Sequence, residues 1–359
     1  MAQLPTIEDV ARAANVSRQT VSNVLNSPEI VKPDTRTRVE DAIATLGYRV
    51  HASARRLRTR QSSTIGIRLD PMSKNGISGA VLDRYLHALT EQSADRGMRI
   101  MLFTAGDLDD EIEQYRRLRD GADVDAFVVT GTTFNDARIR WLIDHSMPFV
   151  SFGRPWGESM DSPDHLWVDV DGAAGTFDAT APLIGRGLRR VGYLGWPSGS
   201  GTGDDRRRGW ETAMRDRLGA SDRELDGLTI VTDEGVATAR RVIQELFESG
   251  HGLDALVCAS DSLALGAMMA VNAAGHADFP VVGFDNTPVA QAVGLSSVDQ
   301  QLDQVAAGTF ELLMGATGRR VLPHGSGGDD PSHRLVTPKL VVRRSSHLAP
   351  VEDAPPTRA

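Results

Sequence analysis

With 359 residues, 40% hydrophobic and 24% charged, the chain is long enough for two or three domains and has the make-up of a soluble globular protein. Its single cysteine, Cys258, excludes a disulfide framework and a thiolate metal site, and suits a reducing cytoplasm. The net charge of −9 hides an uneven spread: residues 1–61 hold ten Lys and Arg against six Asp and Glu, a net +4, which leaves −13 for the rest. A basic head on an acidic body directs the head toward a polyanion.

Glu8, Asp9 and Arg12 interrupt the first residues, so no signal-peptide core is expected there. Thr6 precedes apolar residues at helical spacing, Ile7, Val10, Ala11 and Ala14, and Thr6 with Asp9 makes a start able to satisfy free N–H groups of a first turn. Asn15 and Val16 form a short turn, and Ser17 caps a second helix with Val21, Val24 and Leu25 on its apolar face. Asn26, Ser27 and Pro28 end that helix. Pro33 suits the first turn of a third, in which Val39, Ile43 and Leu46 line one face and Gly47 provides the stop. Residues 1–49 thus predict an all-α, three-helix bundle of helix-turn-helix form. The basic segment 50–61 follows.

From Thr64 the rhythm changes. Apolar runs at Ile65–Leu69, Arg99–Phe103, Ala126–Val129 and Phe149–Phe152 alternate with helical patterns. The alternation resumes at Val191–Leu194, Thr229–Val231, Ala255–Cys258 and Val281–Phe284. Apolar strands between helices predict parallel sheets covered on both faces. Two such sets, with a break near Trp156–Pro163, predict two α/β lobes within residues 62–346. Ligands of open parallel sheets bind beyond the carboxyl ends of the strands, so the cleft between the lobes is the expected site. The run Leu253–Ala274 is broken by Asp254 and Asp261 and is no membrane span. Gly325–Pro331 reads as a polar loop, and 347–359, rich in Pro and Ala, as a disordered tail.

The segment Thr6-Ile7-Glu8-Asp9-Val10-Ala11 through Val16-Ser17-Arg18-Gln19-Thr20-Val21-Ser22-Asn23-Val24-Leu25-Asn26 resembles the DNA-binding signature of the LacI/GalR family of bacterial repressors. Thr35-Arg36-x-x-Val39 and Leu46-Gly47-Tyr48 extend the likeness. It continues through Ile65-Gly66-Ile67, Arg206-x-x-Gly209-Trp210, Ala259-Ser260-Asp261-Ser262-Leu263-Ala264 and Val282-Gly283-Phe284-Asp285-Asn286. The resemblance implies a periplasmic-binding-protein-like core of two parallel-sheet lobes. It also implies a homodimer and a palindromic, double-stranded operator.

In a helix-turn-helix the second helix enters the major groove, its N-terminal residues facing base edges. Arg18 and Gln19 stand there; arginine pairs with guanine and glutamine with adenine, although Arg18 also suits a phosphate. Thr20 and Ser22 suit phosphates that fix register. Asn23 stands where relatives often carry arginine, which implies a shifted operator preference. Read alone, residues 51–58 fit a basic linker as well as a helix. The resemblance makes them a hinge helix, in which Ala54 permits close approach of the partner copy, Leu57 wedges between base pairs, and Arg55, Arg56 and Arg58 face phosphates. Relatives often have proline where Val50 stands, which makes entry to this hinge less rigid.

For the core, the resemblance places a ligand-binding arginine at Arg206, an acceptor of hydroxyl groups at Asp285 and another ligand position at Gln300. Asp70 ends the first core strand, as a pocket carboxylate or as a loop cap. Asp261 suits a helix cap as well as a ligand contact. Trp156, Trp167, Trp196 and Trp210 lie near strand ends or the Arg206 motif, fit either for core packing or, with Trp156 foremost, for stacking on a pyranose. Arg207 and Arg208 read as surface ion pairs. Acidic acceptors, one arginine and indoles favour a neutral sugar as effector. Gly199-Ser200-Gly201-Thr202-Gly203 lacks the spacing of a phosphate loop and reads as a mobile pocket rim. No nucleophile elbow and no metal-ligand histidine spacing occur, so neither catalysis nor a metal or other cofactor is expected. The reading is a cytoplasmic, dimeric repressor of carbohydrate genes released by a sugar, with a dimer only because no leucine heptads end the chain. The alternatives are a corepressor-dependent repressor of the same fold and a solute-binding protein without regulation.

Overall fold

The structure is a computed structural model that describes residues 5–48, 62–69, 79–157, 160–250, 252–317 and 332–348. The expected hinge with Ala54, Arg55, Leu57 and Arg58, the carboxylate of Asp70, the 325–331 loop and the tail beyond Leu348 lie outside the described residues. The chain divides into two compact units, Met1–Ser62 and Ser63–Ala359.

In the first unit, helices α1 (Ile7–Ala13), α2 (Arg18–Asn26) and α3 (Pro33–Leu46) are joined by a tight turn and a 3-10 turn at Pro28–Ile30. Thr6 and Asp9 cap α1 reciprocally, each side chain accepting the other's backbone N–H. Asn15 takes a left-handed φ of 51° in the turn, a conformation that asparagine tolerates better than most residues. The Ser17 hydroxyl accepts the Thr20 N–H and starts α2, and Gly47 at φ 64° stops α3. Val10, Ala11, Ala14, Val21, Val24, Val39 and Ala42 form the core, closed by Tyr48. Leu46 departs from expectation: it is exposed, and small Ala42 fills the α3 seam one turn earlier.

The second unit holds two six-stranded sheets. The first comprises β1 (Thr64–Arg68), β2 (Arg99–Phe103), β3 (Ala126–Thr130), β4 (Phe149–Phe152), β5 (Trp167–Val170) and β11 (His333–Val336), in the order β11-β5-β4-β3-β1-β2, all parallel. The second comprises β6 (Val191–Gly195), β7 (Thr229–Val231), β8 (Ala255–Cys258), β9 (Val281–Phe284), β10 (Ser296–Asp299) and β12 (Lys339–Val341), in the order β12-β10-β9-β8-β6-β7, with β12 antiparallel. Helices α4 (Gly79–Ala94), α5 (Leu108–Asp120), α6 (Ala137–Asp144) and α13 (Leu302–Ala316) pack on the first sheet. The second sheet is flanked by α7 (Gly172–Gly185), α8 (Gly201–Leu218), α9 (Asp222–Leu228), α10 (Val236–Glu248), α11 (Asp261–Ala273) and α12 (Pro288–Val293).

All eight strands expected from apolar runs are present within a residue of their expected ends. Four others were not anticipated. β10, Ser-Ser-Val-Asp, is fully buried although mostly polar, because Ser296 and Ser297 spend their hydroxyls on Arg343, Ser346 and Asp261. The expected break near Trp156–Pro163 is not where the lobes part. The chain stays in the first sheet through β5 and crosses at Asp171, then returns at Gln300–Gln301 so that Leu302, Val305 and Phe310 join the first lobe's core. It crosses again between β11 and β12. Each lobe is therefore assembled from separated stretches. Among the described residues no helix is long and apolar enough to cross a membrane.

Candidate functional site

Parallel strands leave their carboxyl ends, and the loops that follow, on one edge of a sheet. Here those edges of the two sheets enclose a cavity of about 220 Å³. The first lobe contributes Thr130, Thr132, Gly153, Arg154 and Asp169; the second contributes Thr202, Asp205 and Arg206, and Gln300 lies at the return crossing.

Arg206 is brought there by α8. The Ser200 hydroxyl accepts the Gly203 N–H and sets the helix start, so Arg206 projects buried from its second turn. Its guanidinium lies 3.7 Å above the Phe284 ring centre and 5.6 Å from that of Trp196. Nη1 donates to the Ala259 carbonyl at 2.5 Å and faces Asp285 at 3.4 Å, while buried Nε has no partner among the described residues. Asp285 leaves the end of β9 at a strained φ of 112° and accepts from the Gln300 amide at 2.6 Å. Burial pushes its carboxyl up to about 7, against the opposing pull of Arg206. The three residues carried over from the family resemblance are thus joined to one another, Arg206 and Gln300 among the residues lining the cavity and Asp285 bonded to both without lining it.

Beside them stand residues the sequence did not single out. Arg154, just after β4, donates to Asp169 at 2.7 Å and to Asp205 on α8 at 2.5 Å. Burial raises the Asp169 carboxyl despite this partner, and burial likewise works against the Arg154 charge, which the two carboxylates nonetheless hold more firmly than usual. Glu234, after β7, accepts the Trp196 indole N–H at 2.8 Å and the Ser260 hydroxyl at 2.9 Å. Arg154 and Glu234 each follow a strand's carboxyl end, the positional signal that could have found them.

The tryptophans part company. Trp156 is buried beneath the Arg154 guanidinium, 4.7 Å from its ring centre, and its N–H has no partner among the described residues. Trp210 is wholly internal, stacked on Tyr193 and donating to the Val191 carbonyl, and Trp167 donates to the Met160 carbonyl. Gly201 and Gly203 are the first turn of α8 rather than a mobile rim: a Cβ on Gly201 would collide with the Trp156 indole, and one on Gly203 would crowd Trp196. The glycines are there for close approach. Asp261 neither caps its helix, a task Ser260 performs, nor lines the cavity. Its oxygens accept from Thr287 and Ser297 and tie α11 to the ends of β9 and β10. Arg207 pairs with Glu211, both half-buried rather than at the open surface, whereas Arg208 reaches the buried Asp205. Among the described residues no cluster of His, Cys, Asp and Glu could hold a metal ion.

In the helical unit, Val21 and Val24 point inward, which leaves Arg18 and Gln19 exposed on α2 with Thr20, Ser22 and Asn23 half-buried beside them. Arg18 pairs with Glu8 at 3.0 Å, and the Gln19 amide donates to Asn23 at 2.9 Å. Exposed pairs of this kind are worth little and yield readily to a stronger partner. The hydroxyls of Thr6 and Ser17 serve as helix caps.

Residues 6–50 match the family described as bacterial regulatory proteins, lacI family, and residues 180–346 match a periplasmic binding protein-like domain. The HTH-type transcriptional regulator AglR of Rhizobium meliloti (strain 1021) is 30% identical over 349 residues, covering 96% of this chain and 95% of its own. The solved complex of the transcriptional regulator CelR with cellobiose shares 26% identity at a TM-score of 0.66, over 95% of this chain and 99% of that one. The lac repressor dimer bound to operator and the anti-inducer ONPF superposes at a TM-score of 0.78 with 22% identity, over 97% and 100% of the two chains, a likeness of fold.

Proposed function

The chain belongs to the lacI family of bacterial regulatory proteins, and from that premise we propose that it represses carbohydrate-use genes and leaves a palindromic operator when a sugar fills the cleft. It is a helix-turn-helix transcriptional regulator. The observation that carries the sugar reading is a cavity lined by carboxylates, hydroxyls and an amide together with Arg206, which keeps an orphaned buried donor. Arg206, which lines the cavity, and Trp156, which packs against the lining residue Arg154, each keep a buried N–H without an acceptor among the described residues, while the Asp169 and Asp205 carboxylates line the same cavity. Each unmade hydrogen bond costs about 1–3 kcal/mol, and a polyol supplies donors and acceptors on adjacent carbons. Two carboxylates, Asp169 and Asp205, balance two arginines, Arg154 and Arg206, in the lining, which favours a neutral ligand. The cellobiose seen on CelR is of that class.

On this reading Arg206, Asp285, Gln300 and Trp156 contact the effector, with Asp70 a further candidate, while Asp261 supports the site from beneath. Arg18 and Gln19 read base edges, Thr20 and Ser22 hold the phosphate backbone, Asn23 shifts the operator preference, and residues 50–61 form the hinge in which Leu57 wedges between base pairs while Arg55 and Arg58 face phosphates. Two copies occupy the two half-sites in the cytoplasm, as in the operator-bound lac repressor dimer, and the chain performs no catalysis.

The test is fluorescence anisotropy on DNA from the promoter beside the gene, with and without a sugar panel. Tight, salt-sensitive binding to a palindrome that one sugar releases is the expected result. Specific binding only in the presence of a ligand would reverse the sign to corepression. Sugar binding with no specific DNA binding at all would favour the solute-binding alternative.

A further inference from the structure

Arg154 sits where the first lobe hands the chain to the second. Its Nε donates to Asp169 Oδ2, and its Nη2 to Asp205 Oδ2 and, at 3.5 Å, to the Val170 carbonyl. Asp205 in turn accepts the Ala173 N–H at 3.2 Å. One guanidinium and one carboxylate therefore gather Asp169 and Val170, before the crossing at Asp171, and Ala173, after it. Arg154, Asp169 and Asp205 are each less than a tenth exposed, and all three line the cavity. Nη1 of Arg154 donates to nothing among the described residues.

The two ion pairs answer differently to movement. Arg154 and Asp169 both belong to the first lobe and stay together when the lobes rotate, whereas Arg154 and Asp205 belong to different lobes. A hydrogen bond of 2.5 Å is lost beyond about 3.5 Å, so a relative displacement near 1 Å at this point decides whether the second pair exists. A buried charge left without its partner is costly, which makes partial separation of the pair unfavourable.

We propose that Arg154 is a positioning residue: its pair with Asp205 is the catch that holds the two lobes at one angle, and an effector oxygen on Nη1 strengthens that catch. Binding in the cleft and the angle between the lobes are thereby linked through a single side chain. The effector half of this inference rests on the sugar reading above; the catch itself does not. A ligand hydroxyl at Nη1 fixes the guanidinium plane and removes the freedom by which it would swing away from Asp205.

The test uses the full chain carrying Asp205→Asn, which keeps the shape and an acceptor for Ala173 but removes the charge. Arg154→Lys serves as a second variant, since one ammonium cannot bridge both carboxylates. Arg208→Gln, which removes only the exposed partner of Asp205, is the control. In the ligand-free protein, amide hydrogen exchange of residues 153–157, in the lobe that does not carry Asp205, is expected to quicken at least five-fold in Asp205→Asn and Arg154→Lys and to be unchanged in Arg208→Gln. Unchanged exchange in the first two overturns the catch. With cellobiose as first probe and then a panel of mono- and disaccharides, the ratio of operator affinity without and with saturating sugar is expected to fall at least five-fold in both variants. A weaker sugar affinity with an unchanged ratio would make Arg154 a ligand contact only and overturn the coupling. If no sugar shifts operator binding even in the unsubstituted chain, the sugar reading fails, and the exchange rates then decide the catch alone.

Discussion

Replacing Arg206 by methionine removes a buried cation of the cleft while keeping its length and much of its apolar contact with Phe284. Three losses follow. The hydrogen bond to the Ala259 carbonyl, to a charged donor, is worth about 1.5–3 kcal/mol, and the cation–ring contact about 1 kcal/mol, part of which the thioether recovers. The third is the effect on Asp285. Breaking a buried pair ordinarily costs about 3–5 kcal/mol, because the remaining charge is stranded. Asp285 differs, since burial already holds its carboxyl up to about 7 and it can take a proton instead. Its folded value lies above the unfolded 3.8, so its effect on stability is most favourable below pH 3.8 and is lost as pH rises through about 7. Without Arg206 the folded value climbs further and the loss continues to higher pH, at about 1.4 kcal/mol per pH unit. The expected cost of Arg206→Met is therefore about 2–3 kcal/mol at pH 6, rising by about 2 kcal/mol at pH 8.5. Urea unfolding of both proteins at the two pH values measures this. A cost that is the same at both, or larger at pH 6, would show that Asp285 is not the group that adjusts and would refute the reasoning.

Ser17→Ala removes the N-cap of α2 and is expected to cost the helical unit about 0.5–2 kcal/mol, read as a lower thermal midpoint in circular dichroism. Gly201→Ala places a methyl against the Trp156 indole; overpacking of about 1–3 kcal/mol and a shifted Trp156 fluorescence are expected, and an unchanged emission spectrum would argue against the close contact. Arg18→Ala is expected to weaken and broaden operator selection by about 1–3 kcal/mol at one base pair, measured by competition among operator variants, with little loss of stability because its pair with Glu8 is exposed. If every variant operator weakens equally, Arg18 touches phosphate rather than a base.

The helical unit was readable almost residue by residue, because its signals are local. Thr6, Ser17, Pro33 and Gly47 mark helix ends through their own chemistry, and Val10, Val21 and Val24 keep helical spacing. Eight strands were equally plain as apolar runs. What failed was long-range. β10 is buried through hydrogen bonds to residues about fifty positions away, such as Ser346, and no local pattern encodes that. The true lobe boundary depends on α13 and β11 returning to the first sheet, which composition near Trp156 could not reveal. In the cleft, Arg206, Asp285 and Gln300 were found through family spacing, whereas Arg154 and Glu234 acquire meaning only when Asp205 and Trp196 are brought beside them.

Residue identity is therefore a weaker guide to this site than the hydrogen-bonding capacity each residue has left. Asp261, Asp169, Asp205 and Asp285 are all buried carboxylates close to the carboxyl ends of strands. Asp261 accepts from Thr287 at one oxygen and Ser297 at the other, and has nothing further to offer. Asp169 and Asp205 are committed to Arg154 and to the backbone on either side of the crossing. Asp285 alone keeps an oxygen without a donor among the described residues, since Gln300 and Arg206 both address Oδ1. Its neighbour Arg206 keeps Nε without an acceptor. The buried Arg206 donor left open carries a penalty of about 1–3 kcal/mol. On the reading proposed above, a ligand oxygen supplies the missing acceptor. On the same reading the aspartates already satisfied, Asp261, Asp169 and Asp205, serve to hold the fold around the cleft, and Asp285 is left to address the ligand.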